Sequence, residues 1–555
     1  MVRKRRTLKF RIIASFACCL YASGLAAQAG DQVQPFSGHF RVAGILLNKI
    51  DGHPLPQARI TLADTANPQK SQSVITSQDG KFLFPTVPAA KFSLTGFKRG
   101  YIPAAYDQHD QFSTAIVTGA GLDTENLVLK LAPDGMIFGR ILDEAGDPVR
   151  HATVTLYYDD HSEGVDRIRN AQNATTDDLG EYEMTSLRPG TYYLSATAKP
   201  WYAVSPPSDA EALNTSTQSR ATADRSLDVA YPLTYYPDTT DSDSASPMPV
   251  RGGERLEVDI HLNPVPALRL RFRVSGDTRR GVEVPQFEQH SLGESTHIEA
   301  TVTSMVSPGV IEVSGIPAGR YDVSLMGQGV RSQISGVDLT TQGQEVDTSA
   351  AEPSSNVKMS VKLQGASKPA ELIAALRLQG KLGIRGSQVD ANGEAEIQQI
   401  SAGQYEVVLF ARGRNYSISR VTAEGAEVSG RHVTIAAGST ASISVTATAG
   451  SIVVQGIAKR AGKPFPGAMV VLVPKDVEGN RDLFRRDQSD LDGTFSLRDV
   501  TPGKYTLVAI ENGWDLDWSQ PEVIAVYARH GRAMEIMNTP GKPLRVEQAI
   551  EVVSK

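Results

Sequence analysis

The sequence predicts an all-β chain, a tandem array of about five β-sandwich units of about seven strands each. Three observations predict it. A two-turn, two-strand signature recurs along the chain in constant register. The residues around it alternate apolar and polar with period two, the mark of half-buried strands. No stretch keeps a helical period over a useful length. Composition agrees: 40% of the 555 residues are hydrophobic, enough for several cores and too many for a disordered chain. The 48 glycines and 31 prolines supply frequent turns. At about 100–200 residues per domain, the length allows three to five domains. Two cysteines, and 62 acidic against 56 basic residues, disfavour a disulfide scaffold, a zinc finger and a nucleic-acid binder.

The N-terminus reads as an export signal. Arg3, Lys4, Arg5, Arg6, Lys9 and Arg11 precede an apolar stretch from Ile12 to Ala22 and an Ala27-Gln28-Ala29 site, so residues 1–29 are expected to be a cleaved signal peptide. The apolar stretch is about half the roughly 20 residues that a lipid span requires. A short basic amphipathic helix is the alternative. Cleavage removes six basic residues and no acid, which lowers the formal charge from -6 to -12. It also removes Cys18 and Cys19, leaving no disulfide or cysteine metal site. Acylation at either cysteine is disfavoured because Ser15-Phe16-Ala17 lacks the usual leucine. The expected location is the periplasm, the outer surface or the medium, with no transmembrane segment in the mature chain and no outer-membrane barrel.

The repeat follows. Its first turn places a glycine at positions 80, 180, 309, 393 and 493, at intervals of 100, 129, 84 and 100 residues. Ten residues on lies the second turn position: Ala90, Gly190, Gly319, Gly403 and Gly503. Two further on is always an aromatic: Phe92, Tyr192, Tyr321, Tyr405 and Tyr505. Asp-Gly or Asn-Gly suits a hairpin start, because glycine accepts positive φ. Alternation such as Phe82/Phe84 or Phe495/Leu497 then gives a strand, the Pro-Gly turn reverses the chain, and a second strand carries Tyr505 and Leu507 on one face. Burying such side chains is worth roughly 1.5–3 kcal/mol each, so that face must meet a second layer. Domain-sized intervals mean separate sandwiches rather than a solenoid.

The upstream half repeats too. Gly139-Arg140-Ile141-Leu142-Asp143 and Gly146-Asp147-Pro148-Val149 lead into Ala152-Thr153-Val154-Thr155-Leu156. Gly456-Ile457 and Gly462-Lys463-Pro464 lead into Ala468-Met469-Val470, and Gly44-Ile45 and Gly52-His53-Pro54 into Ala58-Arg59-Ile60. With the downstream signature, these residues resemble the carboxypeptidase regulatory-like domain. The resemblance is close in the second and fifth units, good in the first, and limited to the downstream half in the third and fourth. It implies a transthyretin-like (prealbumin-like) seven-stranded sandwich of carbohydrate-binding-like fold, related to collagen-adhesin B-type repeats and starch-binding domains. It also implies an accessory rather than a catalytic role. The layout is similar to that of secreted multi-domain proteins of Gram-negative soil bacteria, especially acidobacteria.

The expected units are 38–132, 133–265, 266–364, 365–449 and 450–555. The joints at Pro133-Asp134-Gly135, Pro264-Val265-Pro266 and Ala449-Gly450 are short, which predicts a semi-rigid rod. The second unit carries an insertion at 231–248, and 205–225 reads as a Ser/Thr/Ala-rich loop. Residues 368–378 come nearest to a helical pattern.

Little chemistry is legible. The ten histidines form no zinc motif, and neither G-x-S-x-G nor a P-loop occurs. No catalytic residue, metal site or cofactor is expected. His53 and His151 read as turn residues. Asp159-Asp160, Asp177-Asp178 and Asp490/Asp492 read as turn or solvated acids, with calcium the alternative. The candidate ligand-binding residues are aromatic: Trp201 and Tyr202 after a strand end, Tyr235 and Tyr236 with Tyr231 in the insertion, and Trp514 and Trp518 in the loop Asn512–Trp518. Aromatics on loops stack on sugar rings or anchor a partner, or else cap the core. The expected protein is an exported, non-enzymatic structural or adhesion-type envelope protein that presents loops to polysaccharide or an envelope protein, and not to nucleic acid. A carbohydrate-binding protein proper and an enzyme with an unrecognised site are the alternatives.

Overall fold

The computed structural model describes residues 36–119, 121–204, 225–273, 285–300, 302–307, 310–327, 330–346, 348, 351–364, 371–378, 384–411, 414–449, 452–477, 483–537 and 542–555. The expected signal peptide, nearly all of the 205–225 loop, and Gly309 and Gly450 lie outside them. The described chain is almost all β, arranged as paired sheets around separate apolar clusters.

The signature strands form where the alternation places them, for example Lys81–Val87 and Lys91–Phe97, and Thr494–Val500 and Gly503–Glu511. They do not pair with each other. Lys81–Val87 joins Phe40–Asn48 in one sheet, and Lys91–Phe97 joins Arg59–Asp64 in the other. The second turn therefore carries the chain between layers instead of closing a hairpin. Both strands can then aim apolar faces at one core, in which Phe82, Phe84, Phe92 and Leu94 are buried. A strand near the end of each repeat returns parallel to an early one: Leu127–Leu131 beside Phe40–Asn48, Arg255–Glu257 beside Gly135–Leu142, Glu345–Val346 beside Leu268–Arg273, Thr440–Ala449 beside Ser355–Gln364, and Leu544–Arg545 beside Ile452–Arg460.

The aromatic of the signature has a second task. Tyr192, Tyr321, Tyr405 and Tyr505 are all buried. Each hydroxyl donates to the carbonyl four residues back, at Arg188 (2.7 Å), Pro317 (2.7 Å), Ser401 (2.8 Å) and Thr501 (3.0 Å). A turn carbonyl against the core needs such a partner. The first unit has Phe92 there and no hydroxyl to offer. The hydroxyl of Thr118, from another strand end, donates to the equivalent Pro88 carbonyl at 2.5 Å. A β-bulge also recurs six residues after the turn glycine, where Ser186, Gln399 and Asp499 adopt φ of 59° and the partner strand skips a residue.

Several expectations are corrected. Strand Ser355–Gln364 pairs with Glu394–Ile400 and Thr440–Ala449 and buries Val357 and Met359. By pairing it belongs with the sheets that follow, so the joint expected at 364/365 falls before Ser355. Ile373–Leu378 is a strand, not a helix. A helix does form at Pro521–Ala528, with proline in its first turn and Ile524 buried against Met469, Val508 and Trp518. The two layers also merge in the fourth and fifth repeats. Arg414–Glu424 and Ile550–Ser554 each hydrogen-bond to strands of both layers, giving nine-stranded sheets. The chain is not a rod, because the fifth unit packs back on the first and second.

Candidate functional site

Trp201 is 86% exposed. It stands edge-on to Tyr202, with ring centroids 5.7 Å apart. The Tyr202 hydroxyl donates to the Glu144 carboxylate, and the buried Tyr231 donates to its other oxygen at 3.2 Å. Glu144 sits in a turn fixed by Asp143, whose carboxylate accepts from the Ala145 and Asp147 amides at 2.9 and 2.8 Å. Desolvation, reinforced by Glu144, pushes the Tyr202 hydroxyl up to about 12, and desolvation raises Tyr231 as well. Both phenols remain protonated donors at neutral pH. The indole thus projects from a fixed polar base, an arrangement that can hold a flat apolar ligand face without offering any acid-base chemistry.

The other candidate aromatics do not join it. Tyr235 is buried and its hydroxyl donates to Ser291, which ties the insertion to the third unit's core. Tyr236 is half-buried against the second core. Trp514 and Trp518, candidate platforms with core capping as the alternative, lie in contacts within the chain. Trp514 stacks on His109 of the first unit at 5.1 Å with the rings 6° from parallel, and it also meets Phe112. Trp518 is buried over Gly164 of the second unit.

Arg486 lies at the centre of this junction with its guanidinium 4.2 Å from the Trp518 ring. It donates to the Ser162 carbonyl at 2.7 Å and approaches Asp110 at 3.4 Å. One side chain of the fifth unit thereby holds the first and second. Gln488 donates to the Asp107 carbonyl at 2.5 Å and to Thr114 at 2.8 Å. His161 of the second unit meets the Leu516 carbonyl at 3.0 Å and Asp166 at 2.7 Å. Burial pulls its pKa down, but that carbonyl and the Asp166 and Asp517 carboxylates outweigh burial and hold the imidazole above its ordinary value.

The acid pairs are likewise occupied. Asp177 and Asp390 each accept two amides of their own turn. At the equivalent place Asp490 turns outward, accepting from the Ala115 amide at 3.1 Å and meeting the Lys91 ammonium at 2.5 Å. Asp160 pairs with Arg169 at 3.0 Å. Among the described residues no three histidine or acidic side chains converge as a metal site, and no helix is long and apolar enough to cross a membrane. Sequence reading missed Glu144, Arg486 and Gln488. Each is an ordinary polar residue whose partners lie tens to hundreds of residues away.

Residues 136–222 match the model of the carboxypeptidase regulatory-like domain, so a β-sandwich domain of that kind is present in the chain. No curated protein matches the sequence. Among solved structures the chain is similar to GBS52, the minor pilin of Streptococcus agalactiae, at 14% identity over 41% of this chain and 96% of that one, with a TM-score of 0.21. It is similar to a streptococcal ancillary pilin at 15% identity, over 52% and 98% of the two chains, with a TM-score of 0.18. For the shaft pilin SpaA of Lactobacillus rhamnosus GG the identity is 10% over 40% and 97%, with a TM-score of 0.18.

Proposed function

We propose that the chain is an exported, non-enzymatic protein of the cell envelope. It is built from about five transthyretin-like sandwiches and uses the exposed Trp201 face to contact polysaccharide. The observation that carries this reading is Trp201 itself, fully presented to solvent beside a tyrosine fixed by Glu144. An exposed indole beside a fixed tyrosine offers a rigid aromatic surface with a polar N–H at its edge, and its flat face suits the apolar face of a sugar ring. The accessory character of the matched domain supports a binding role over catalysis.

The test is retention of the full chain on immobilised neutral polysaccharides by affinity electrophoresis. Wild type should be retarded on at least one matrix, and Trp201→Ala should migrate freely with an unchanged melting temperature. Equal migration of both proteins on every matrix would leave a purely structural array as the better account.

A further inference from the structure

A cleft of about 1240 Å³ opens where the first and second units meet, and Trp201 is not part of it. Four cations line it, two from each unit. Lys130 lies opposite Leu47 in the parallel strand pair, and the Lys49 amide donates to the Leu131 carbonyl at 2.8 Å, so both lysines reach the same strand ends. Gly190 lies opposite Val250, which puts Arg188 and Arg251 on neighbouring turns of the second unit.

All four side chains are exposed, and none forms an ion pair with a described residue. The acids of the cleft are already engaged: Asp107 accepts from Thr114 at 3.0 Å, and Asp110 faces Arg486. In a chain of net charge -6, four cations without an ion-pair partner among the described residues, gathered on one concave surface, focus a positive potential there.

The shape narrows the ligand. The volume exceeds the roughly 300–1,000 Å³ of small-molecule sites. A ligand that meets all four charges must also bridge the joint, so it is extended and carries several anionic groups. Two exposed apolar side chains, Ile50 (60%) and Val128 (44%), also line the cleft and match the CH faces of sugar rings. The aromatic residues of the lining are already engaged: Tyr106 and Tyr158 are half-buried against the first and second cores and His109 stacks on Trp514, so they do not present the open stacking faces that single-stranded nucleic acid needs.

We propose that this cleft binds a segment of an acidic polysaccharide, with its carboxylates facing Lys49, Lys130, Arg188 and Arg251. The site is independent of Trp201. Calorimetric titration of the full chain with polygalacturonate tests it, with neutral dextran and a single-stranded oligonucleotide as comparisons. Wild type should bind polygalacturonate, more weakly as salt rises, and should bind dextran at least tenfold more weakly. The double charge reversal Lys130→Glu with Arg188→Glu should lower affinity for polygalacturonate at least tenfold, and Lys49→Gln with Arg251→Gln at least threefold. Absence of binding, insensitivity to both double variants, or equally tight binding of the oligonucleotide would overturn the proposal.

Discussion

Replacing Arg486 by methionine should release the fifth unit from the first two. The methionine keeps most of the apolar volume and removes the charge. The guanidinium is only 7% exposed, lies over Trp518 at 4.2 Å and donates to the Ser162 carbonyl at 2.7 Å. A charge-assisted hydrogen bond contributes about 1.5–3 kcal/mol, and a desolvated cation–π contact about 2 kcal/mol. The Asp110 pair adds less than about 1 kcal/mol, since Asp110 is 34% exposed. Methionine avoids the desolvation cost that arginine carries, which offsets part of the loss. The net weakening of docking is about 2–4 kcal/mol, or roughly 30- to 1,000-fold in the docking equilibrium at 1.36 kcal/mol per tenfold. Hydrogen exchange reads it directly. The Leu491 amide bonds to the Ala115 carbonyl at 3.0 Å and the Ala115 amide to Asp490 at 3.1 Å, so both are protected only while the units are docked. Both should exchange faster in the variant, while core amides such as that of Val471 keep their protection. Unchanged exchange at Leu491 and Ala115 would refute the reasoning, whatever happened to the melting temperature.

Gly164→Ala should loosen the same junction from the other side. A β-carbon there would sit 2.5 Å from the Trp518 ring, at a φ of +72°, and a loss of about 1–3 kcal/mol is expected in thermal unfolding. Tyr321→Phe and Thr118→Val each strip the hydroxyl from a turn carbonyl, and each should cost about 1 kcal/mol in urea denaturation. A negligible cost for Thr118→Val would show that it does not stand in for the missing tyrosine hydroxyl at Phe92. Burial pushes the half-buried Asp487 carboxyl up to about 6 from 3.8. Its folded pKa lies above its unfolded one, so its contribution is complete below pH 3.8 and is lost as pH rises through 6. Asp487→Asn should therefore raise stability at pH 8 by on the order of 2 kcal/mol and leave it unchanged at pH 4. An equal gain at both values would exclude ionisation as the cause.

Strand positions and the inward aromatics were legible because they are local. A turn glycine with φ near 70–90° and a period-two alternation constrain the next ten residues wherever the rest of the chain goes. The helix Pro521–Ala528 was not legible, since eight residues are too few to show a 3.6-residue period. The joint before Ser355 was missed for a related reason: an alternating strand looks the same whether it closes one sheet pair or opens the next.

Which residues turn inward is set locally, because alternation and turn chemistry act over a few residues and need no knowledge of the partner. Which layer each strand joins and what each aromatic faces depend on the assembled fold. Trp201 and Trp518 look alike in the sequence, yet one meets water and the other meets Gly164 and Arg486. Asp490 occupies the same signature position as Asp177, but it leaves its own turn for Lys91, 399 residues away. Contacts at that separation depend on how whole units dock, and no local pattern encodes them.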